Sequence, residues 1–220
     1  MELYRESISG DQGETIMTAV DIKQNLKSLY TAAATPQLVE VPPRLYLMID
    51  GQGDPNTATQ YTEAVAALYT LAYGLRAEIK TAQGVAYKVM PLEGLWWVDE
   101  ISAFRYDDKS NWEWTMMISL PDAVDSALFE RARSAAQRKK PTLPLDRVRL
   151  KTLDEGLSAQ VLHIGPFADE PATIAKLDAF IAAQGCHHAG KHHEIYLSDF
   201  QRAAPEKLKT IIRHPVERRD

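Results

Sequence analysis

The sequence has a single cysteine, Cys186, so no disulfide can form within the chain and a disulfide-stapled secreted scaffold is excluded. It contains no uninterrupted apolar run near the roughly 18 residues that a membrane span needs. The first residues, MELYRESISGDQGET, carry charges and none of the apolar core of a secretory signal. There is no strong basic balance: formal net charge is −5 over 220 residues. The basic residues that do cluster, from Arg131 to Lys151, read as a solvated helix and strand face. With neither a helix-turn-helix pattern nor an RNP-type strand, no nucleic-acid partner is expected. Low charge with 45% apolar content lies far from the disordered regime, and a chain this long buries roughly 70% of its unfolded surface. A soluble protein of the reducing cytoplasm is the expectation, as monomer or homodimer.

Residues 1–35 read as a peripheral extension and linker, with a short helix over Asp21–Tyr30 and Met17 as an alternative start. From residue 36 to 216 the texture is that of one packed domain. Strands are predicted at Leu38–Val41 and Leu45–Ile49, then a glycine-bearing loop through Asp54-Pro55. Tyr61, Val65, Leu68, Ala72 and Leu75 recur at helical spacing, predicting a helix over 57–76. Further strands are expected at Ala86–Met90 and Trp112–Leu120, with Glu93–Trp97 between them. A helix follows from Pro121-Asp122 to Lys140. Arg147–Leu153 and Ser158–Ile164 read as a hairpin about Asp154-Glu155-Gly156. The chain closes with a helix over 172–184 and strands at His193–Leu197 and Leu208–Arg213.

Strand, glycine-bearing loop, acid-proline and helix occur twice, in Leu45–Leu75 and in Gln160–Gln184. A shift of 116 places Asp54-Pro55 on Glu170-Pro171, Tyr61 on Leu177 and Val65 on Ile181, with apolar phase kept. The pattern predicts an α+β fold: a strand–helix–strand–strand unit duplicated over about 38–120 and 121–216, sharing an antiparallel sheet. A ligand groove is expected where the halves meet.

Trp96, Trp97, Trp112 and Trp114 are all the tryptophans of the chain. On a strand, Trp112 and Trp114 share a face with Met116 and Ile118, while the neighbours Trp96 and Trp97 cannot both point inward. Such indoles suit either an ordinary core or a wall for a flat aromatic ligand. In His192-His193-Glu194-Ile195-Tyr196, Glu194 and Tyr196 project from one strand face. A desolvated carboxylate beside a phenol can activate water and stabilise a developing oxyanion; the alternative is an exposed pair on an edge strand. The segment Cys186–Lys191, with His187 and His188 ahead of His192 and His193, reads as a surface loop. No metal site is expected there, because neither a second cysteine nor a carboxylate pattern accompanies the histidines. Cys186 has no partner that would make it a nucleophile. The glycine loops match neither phosphate-binding nor dinucleotide spacing, and no cofactor is expected.

The strings MIDGQGDPNT, AVAALYTLAYGLR, PLEGLWW, HIGPFADEPATI, HHEIYLSD and APEKLKTIIRHPV, in that order, resemble the GyrI-like small-molecule-binding superfamily, and within it the cyclopropanoid cyclopropyl hydrolases. The resemblance runs from about Lys23 to Val216. It implies the duplicated fold with an aromatic-lined groove for flat or cationic ligands. It also implies hydrolytic opening of the cyclopropane ring in spirocyclopropane dienones of the yatakemycin and CC-1065 type, a detoxifying activity. Glu194 and Tyr196 match the family's acid and phenol, one as base and the other as donor or water-positioner, in either assignment. Trp96, Trp97, Trp112 and Trp114, with Tyr46 and Phe167, are the ligand-contact candidates. The alternative implied by the same family is non-catalytic binding of hydrophobic or cationic drugs.

Overall fold

In a computed structural model of the chain, residues 26–84, 87–98, 109–199 and 202–219 are described. Met17 and the start of the expected N-terminal helix lie outside them. Among the described residues nine strands form one antiparallel system: β1 (Gln37–Val41), β2 (Arg44–Gln52), β3 (Leu92–Trp97), β4 (Glu113–Ser119), β5 (Arg149–Leu153), β6 (Gly156–Ile164), β7 (Cys186–His188), β8 (His192–Tyr196) and β9 (Lys209–Arg218). Three α-helices among the described residues accompany them: α1 (Thr59–Gln83), α2 (Ser126–Lys139) and α3 (Glu170–Ala183). The strand order is β1-β6-β9-β8-β3-β4-β2-β5, with β7 added beside β9.

That order displays the duplication. The unit β2-α1-β3-β4 lies in the sheet as β3-β4-β2, and β6-α3-β8-β9 lies as β8-β9-β6, so the inner strands β3 and β8 meet at the centre. The register differs from the one expected. Gln37–Val41 corresponds to Arg149–Leu153 and Arg44–Gln52 to Gly156–Ile164, a constant offset of 112 rather than 116. The two acid-proline pairs misled the alignment because they do different jobs. Pro171 sits in the first turn of α3, whereas Asp54 heads a separate turn, accepting from Thr57 and Ala58, before α1 begins.

Two further expectations are corrected. Arg149–Leu153 and Gly156–Ile164 do not pair with each other: β5 pairs with β2, and β6 with β1 and β9. The reason is the exchange of outer strands between the halves. β1 precedes β2 yet pairs with β6, and β5 precedes β6 yet pairs with β2. Each exchange is spanned by two residues, Pro42-Pro43 or Asp154-Glu155, which reach at most roughly 10 Å. Laid flat, β1 and β2 would stand about 29 Å apart at ordinary strand spacing. Short connectors therefore force the sheet to curl into a half-barrel. Glu93–Trp97, expected as a connector between strands, is itself strand. It lies in β3, the innermost strand of its half, while Tyr87–Met90 has no regular structure.

The helix-covered face carries the main core: Leu47 and Ile49 of β2, Trp114, Met116 and Ile118 of β4, and Leu68, Leu71 and Leu75 of α1. Helix α1 ends at Gly84, whose positive φ of 69° closes the last turn through its N–H to Lys80 O. Helix α2 is capped by Asp125, which accepts from Leu128 N at 2.7 Å. The opposite face is closed by residues 26–30, expected to be peripheral, which bury Leu26 and Leu29 against Val41. Beneath them lies a buried polar cluster. Tyr30 Oη donates to Glu93 Oε1 at 2.6 Å, His193 bridges Glu93 (3.0 Å) and Glu155 (2.9 Å), and Arg213 holds Gln160 Oε1 and Leu29 O.

Candidate active site

The central ladder sets the site. Across β3 and β8, Gly94 stands opposite Glu194 and Trp96 opposite His192; across β3 and β4, Trp96 stands opposite Trp114. Two-residue periodicity puts His192, Glu194 and Tyr196 on the helix-covered face with both indoles. Gly94 is what lets them meet. A Cβ there would lie 2.8 Å from Trp96 Nε1, so only glycine leaves the indole room to swing over the strand. Trp96 Nε1 then donates to Tyr196 Oη at 3.0 Å, and Tyr196 Oη donates to Glu194 Oε2 at 2.7 Å.

Glu194 is buried, with three hydrogen-bonding partners. His192 Nε2 lies 2.8 Å from its Oε1, and His192 Nδ1 lies 2.8 Å from His214 Nε2. Glu170, the first residue of α3, hydrogen-bonds to it as well. Burial alone would push Glu194 up. The hydrogen bonds and charge of His192, with the bonds from Tyr196 and Glu170, outweigh burial and hold it below the usual carboxylate range. Glu170 is the opposite case. Burial first, then the adjacent Glu194 charge, pushes it up to about 10. The two carboxyls are thus pushed in opposite directions and titrate as a pair, with Glu170 the one driven toward its protonated form. Oε1 of Glu170 is buried with no hydrogen-bond partner among the described residues. Burial, then the Glu194 charge, also holds the Tyr196 phenol well above its ordinary range, so it stays a donor.

Aromatic rings wall this cluster. Tyr61, in the first turn of α1, stacks on Trp96 (centroids 6.2 Å apart), Trp112 meets Trp96 edge-on at 5.7 Å, and Phe167 meets Tyr196 edge-on at 5.8 Å. Lys109 Nζ lies 4.7 Å from the Trp112 ring centroid.

Of the residues picked from sequence, Glu194, Tyr196, Trp96, Trp112 and Phe167 come together. Trp114 stands behind them, fully buried with its ring over Gly51 and its edge on Tyr61 at 5.4 Å. Trp97 and Tyr46 do not join. Strand parity sends Trp97 to the opposite face, beneath Lys191 Nζ, and Tyr46 likewise, with its hydroxyl directed at Glu93 Oε2. That opposite face holds a cavity of about 710 Å³ lined by Met48, Leu95, Arg149, Lys151 and Lys191 among others. It contains none of Glu170, Glu194 and Tyr196, so volume and chemistry point to different faces. The buried carboxyl pair makes the helix-covered face the candidate site. Sequence reasoning missed Glu170, Tyr61, His192 and His214. Glu170 stands in an acid-proline pair, which by itself signals only a helix start.

A family model described as the GyrI-like small molecule binding domain matches residues 34–217. The chain belongs to that family. Among solved structures, an uncharacterized conserved protein from Listeria innocua is 38% identical with a TM-score of 0.82, covering 89% of this chain and 98% of its own. A protein described as a hydrolase from Listeria innocua is 35% identical with a TM-score of 0.78 over the same shares. The C-terminal domain of EcmrR shares the fold at 13% identity and a TM-score of 0.54, covering 84% of this chain and 98% of its own. No curated protein sequence matches the chain. A GyrI-like domain is a small-molecule-binding domain. Among the described residues no helix is long and apolar enough to cross a membrane.

Proposed function

We propose that the chain hydrolyses the cyclopropane ring of flat spirocyclopropane dienones, removing a DNA-alkylating electrophile. The observation that carries this reading is the buried Glu194 carboxylate, hydrogen-bonded by His192, Tyr196 and Glu170 under an aromatic wall. The Listeria relatives described as hydrolases and the subgroup resemblance of PLEGLWW and HHEIYLSD support it.

In the proposed reaction the planar ligand lies against Trp96, Trp112 and Phe167, and Glu194 accepts a proton from a water aimed at the ring methylene. The water oxygen bonds to that carbon as the strained C–C bond breaks. Its electron pair moves into the dienone and appears as phenolate on the former carbonyl oxygen. Tyr61 is the available donor for that oxygen, since its phenol has no hydrogen-bond partner among the described residues. The proton on Glu194 leaves to solvent and the phenolate takes one back, so water alone is consumed. Tyr196 is a positioning residue. Its proton is committed to Glu194 and its oxygen to Trp96.

Glu170 keeps the pair at a single negative charge, which leaves room for charge to develop on the ligand. A second reading, binding of cationic drugs without turnover, is favoured by Lys109, which already places a cation on the Trp112 ring. Incubation with a spirocyclopropane dienone, following loss of its ultraviolet absorption, separates the two. Repeated turnover abolished by Glu194→Gln supports hydrolysis; stoichiometric binding without turnover removes it.

A further inference from the structure

Beyond the candidate active site, three metal-ligating side chains from three elements converge at the outer edge of the second repeat. Asp178 comes from α3, His188 from β7 and His214 from β9. Their donor atoms lie within 4.8 Å of one another. His188 Nε2 is 3.1 Å and His214 Nδ1 3.7 Å from Asp178 Oδ1, and the two imidazole centroids are 4.7 Å apart. The segment read as a surface loop is in fact built. Cys186 is buried, His188 pairs with Val216, and Ala189 N donates to Pro215 O at 2.8 Å.

His214 supplies an independent observation. It is 5% exposed, and its Nδ1 is buried with no hydrogen-bond partner among the described residues, although it faces Asp178 and His188. An orphaned ring nitrogen aimed into a cluster of ligand atoms is an uncompensated cost unless something occupies the cluster.

We propose that Asp178, His188 and His214 form a binding site for a divalent transition-metal ion of the zinc class. Two imidazoles and one carboxylate suit zinc and its borderline neighbours rather than calcium or magnesium, which want oxygen ligands. Four donors around such an ion at about 2.1 Å stand about 3.4 Å apart. Two of the three pairs are already near that. Asp178 and His188 are half exposed, so they are free to rotate the remaining distance and to leave a fourth position to water.

The site also touches the chemistry described above. A metal on His214 Nδ1 leaves its Nε2 as the N–H that donates to His192 Nδ1. His192 is then the Nε2–H tautomer, which donates to Glu194 Oε1. The ion would fix the orientation and tautomer of the one histidine that holds the carboxylate.

The test does not depend on turnover. The untagged full chain, stripped with a chelator, is titrated with zinc in competition with a chromophoric indicator, and with cobalt read by visible absorption. Expected are one equivalent bound, with Kd on the order of a micromolar or tighter, and a tetrahedral or five-coordinate cobalt spectrum. Asp178→Asn and His188→Gln should each weaken binding at least about tenfold. Both sites are exposed enough to keep the fold, which circular dichroism checks. His187→Gln, whose ring faces Glu217, should change nothing. Absence of saturable binding by either metal overturns the proposal, as does binding that persists unchanged in the Asp178→Asn/His188→Gln double variant. Neither result overturns the hydrolysis reading, which the dienone turnover assay tests separately.

Discussion

Glu170 and Glu194 come from different elements, the first turn of α3 and the middle of β8, yet their carboxyl groups hydrogen-bond to each other in a buried site. Such a pair stays together only by sharing a proton, which sets the first expected outcome. Glu170, held up at about 10 against an ordinary carboxylate near 4.5, binds its proton in the folded chain and releases it when unfolded. The folded state therefore binds more protons between those values, so Glu170 contributes a loss of stability as pH rises from 4.5 toward 10. Glu170→Gln keeps the shape without the obligation to stay protonated. It should be more stable than wild type at pH 8, by about 1–3 kcal/mol, with a flatter profile between pH 4.5 and 6.5. Urea unfolding at pH 5, 6.5 and 8 reads both; an unchanged profile would mean the proton sits elsewhere.

On the opposite face, His193 sits between Glu155 and Glu93. Burial opposes its charge, but the Glu155 charge and hydrogen bond, followed by those of Glu93, raise it to about 9. The sign is that of a raised cation. Stability from the imidazolium is fully present below pH 6.5 and is lost as pH climbs through 9. The loss should be on the order of 3 kcal/mol. His193→Gln should be less stable than wild type at pH 6 and, apart from the slope that Glu170 contributes from 4.5 toward 10, should lose the His193 decline between pH 6.5 and 9. Glu170→Gln should retain that decline, which separates the two groups in the same denaturation series.

How much of this was legible in the sequence depended on whether the signal was local. Alternation in His192–Tyr196 correctly put Glu194 and Tyr196 on one strand face, and helical spacing from Tyr61 to Leu75 found α1. Strand exchange was invisible because no local pattern distinguishes Arg149–Leu153 pairing with Gly156–Ile164 from its pairing with Arg44–Met48. Only the curl of the whole sheet decides it. Leu92–Trp97 was missed as a strand because Gly94 weakens the β pattern, and the reason for that glycine lies in a neighbouring indole. Tyr46 and Trp97 were chosen as aromatics, but strand parity relative to Trp96 and Leu47 turns them to the far side. Glu170 and His214 draw their meaning from partners on other elements, which no spacing along the chain records.

Gly94 and Gly74 form a matched test of that packing argument. At Gly94 a methyl group would meet Trp96 Nε1 at 2.8 Å and Met116 Sδ at 3.2 Å, and the indole is held by Tyr196. Gly94→Ala should cost about 1–3 kcal/mol and shift tryptophan fluorescence as Trp96 leaves Tyr196. Gly74 lies inside α1 with nothing within 4 Å of its added Cβ. Gly74→Ala should stabilise by roughly 0.5–1 kcal/mol through helix propensity alone. Equal effects at the two positions would refute the claim that Gly94 exists to seat the indole.

Tyr196→Phe probes the proposed chemistry through pH. The hydroxyl donates to Glu194 Oε2 at 2.7 Å and helps hold that carboxylate below its ordinary range. Without the donor, Glu194 becomes protonated at a higher pH, so the acid limb of the dienone-hydrolysis profile should move upward. At a pH well above that limb the variant should keep activity within about tenfold of wild type, because the base itself is intact. A loss of activity at all pH values, with the limb unmoved, would instead make Tyr196 the donor to the ligand and take that role from Tyr61. Tyr61→Phe is the complementary measurement. It should lower kcat with the acid limb unmoved, since the oxygen it would serve gains charge only as the ring opens.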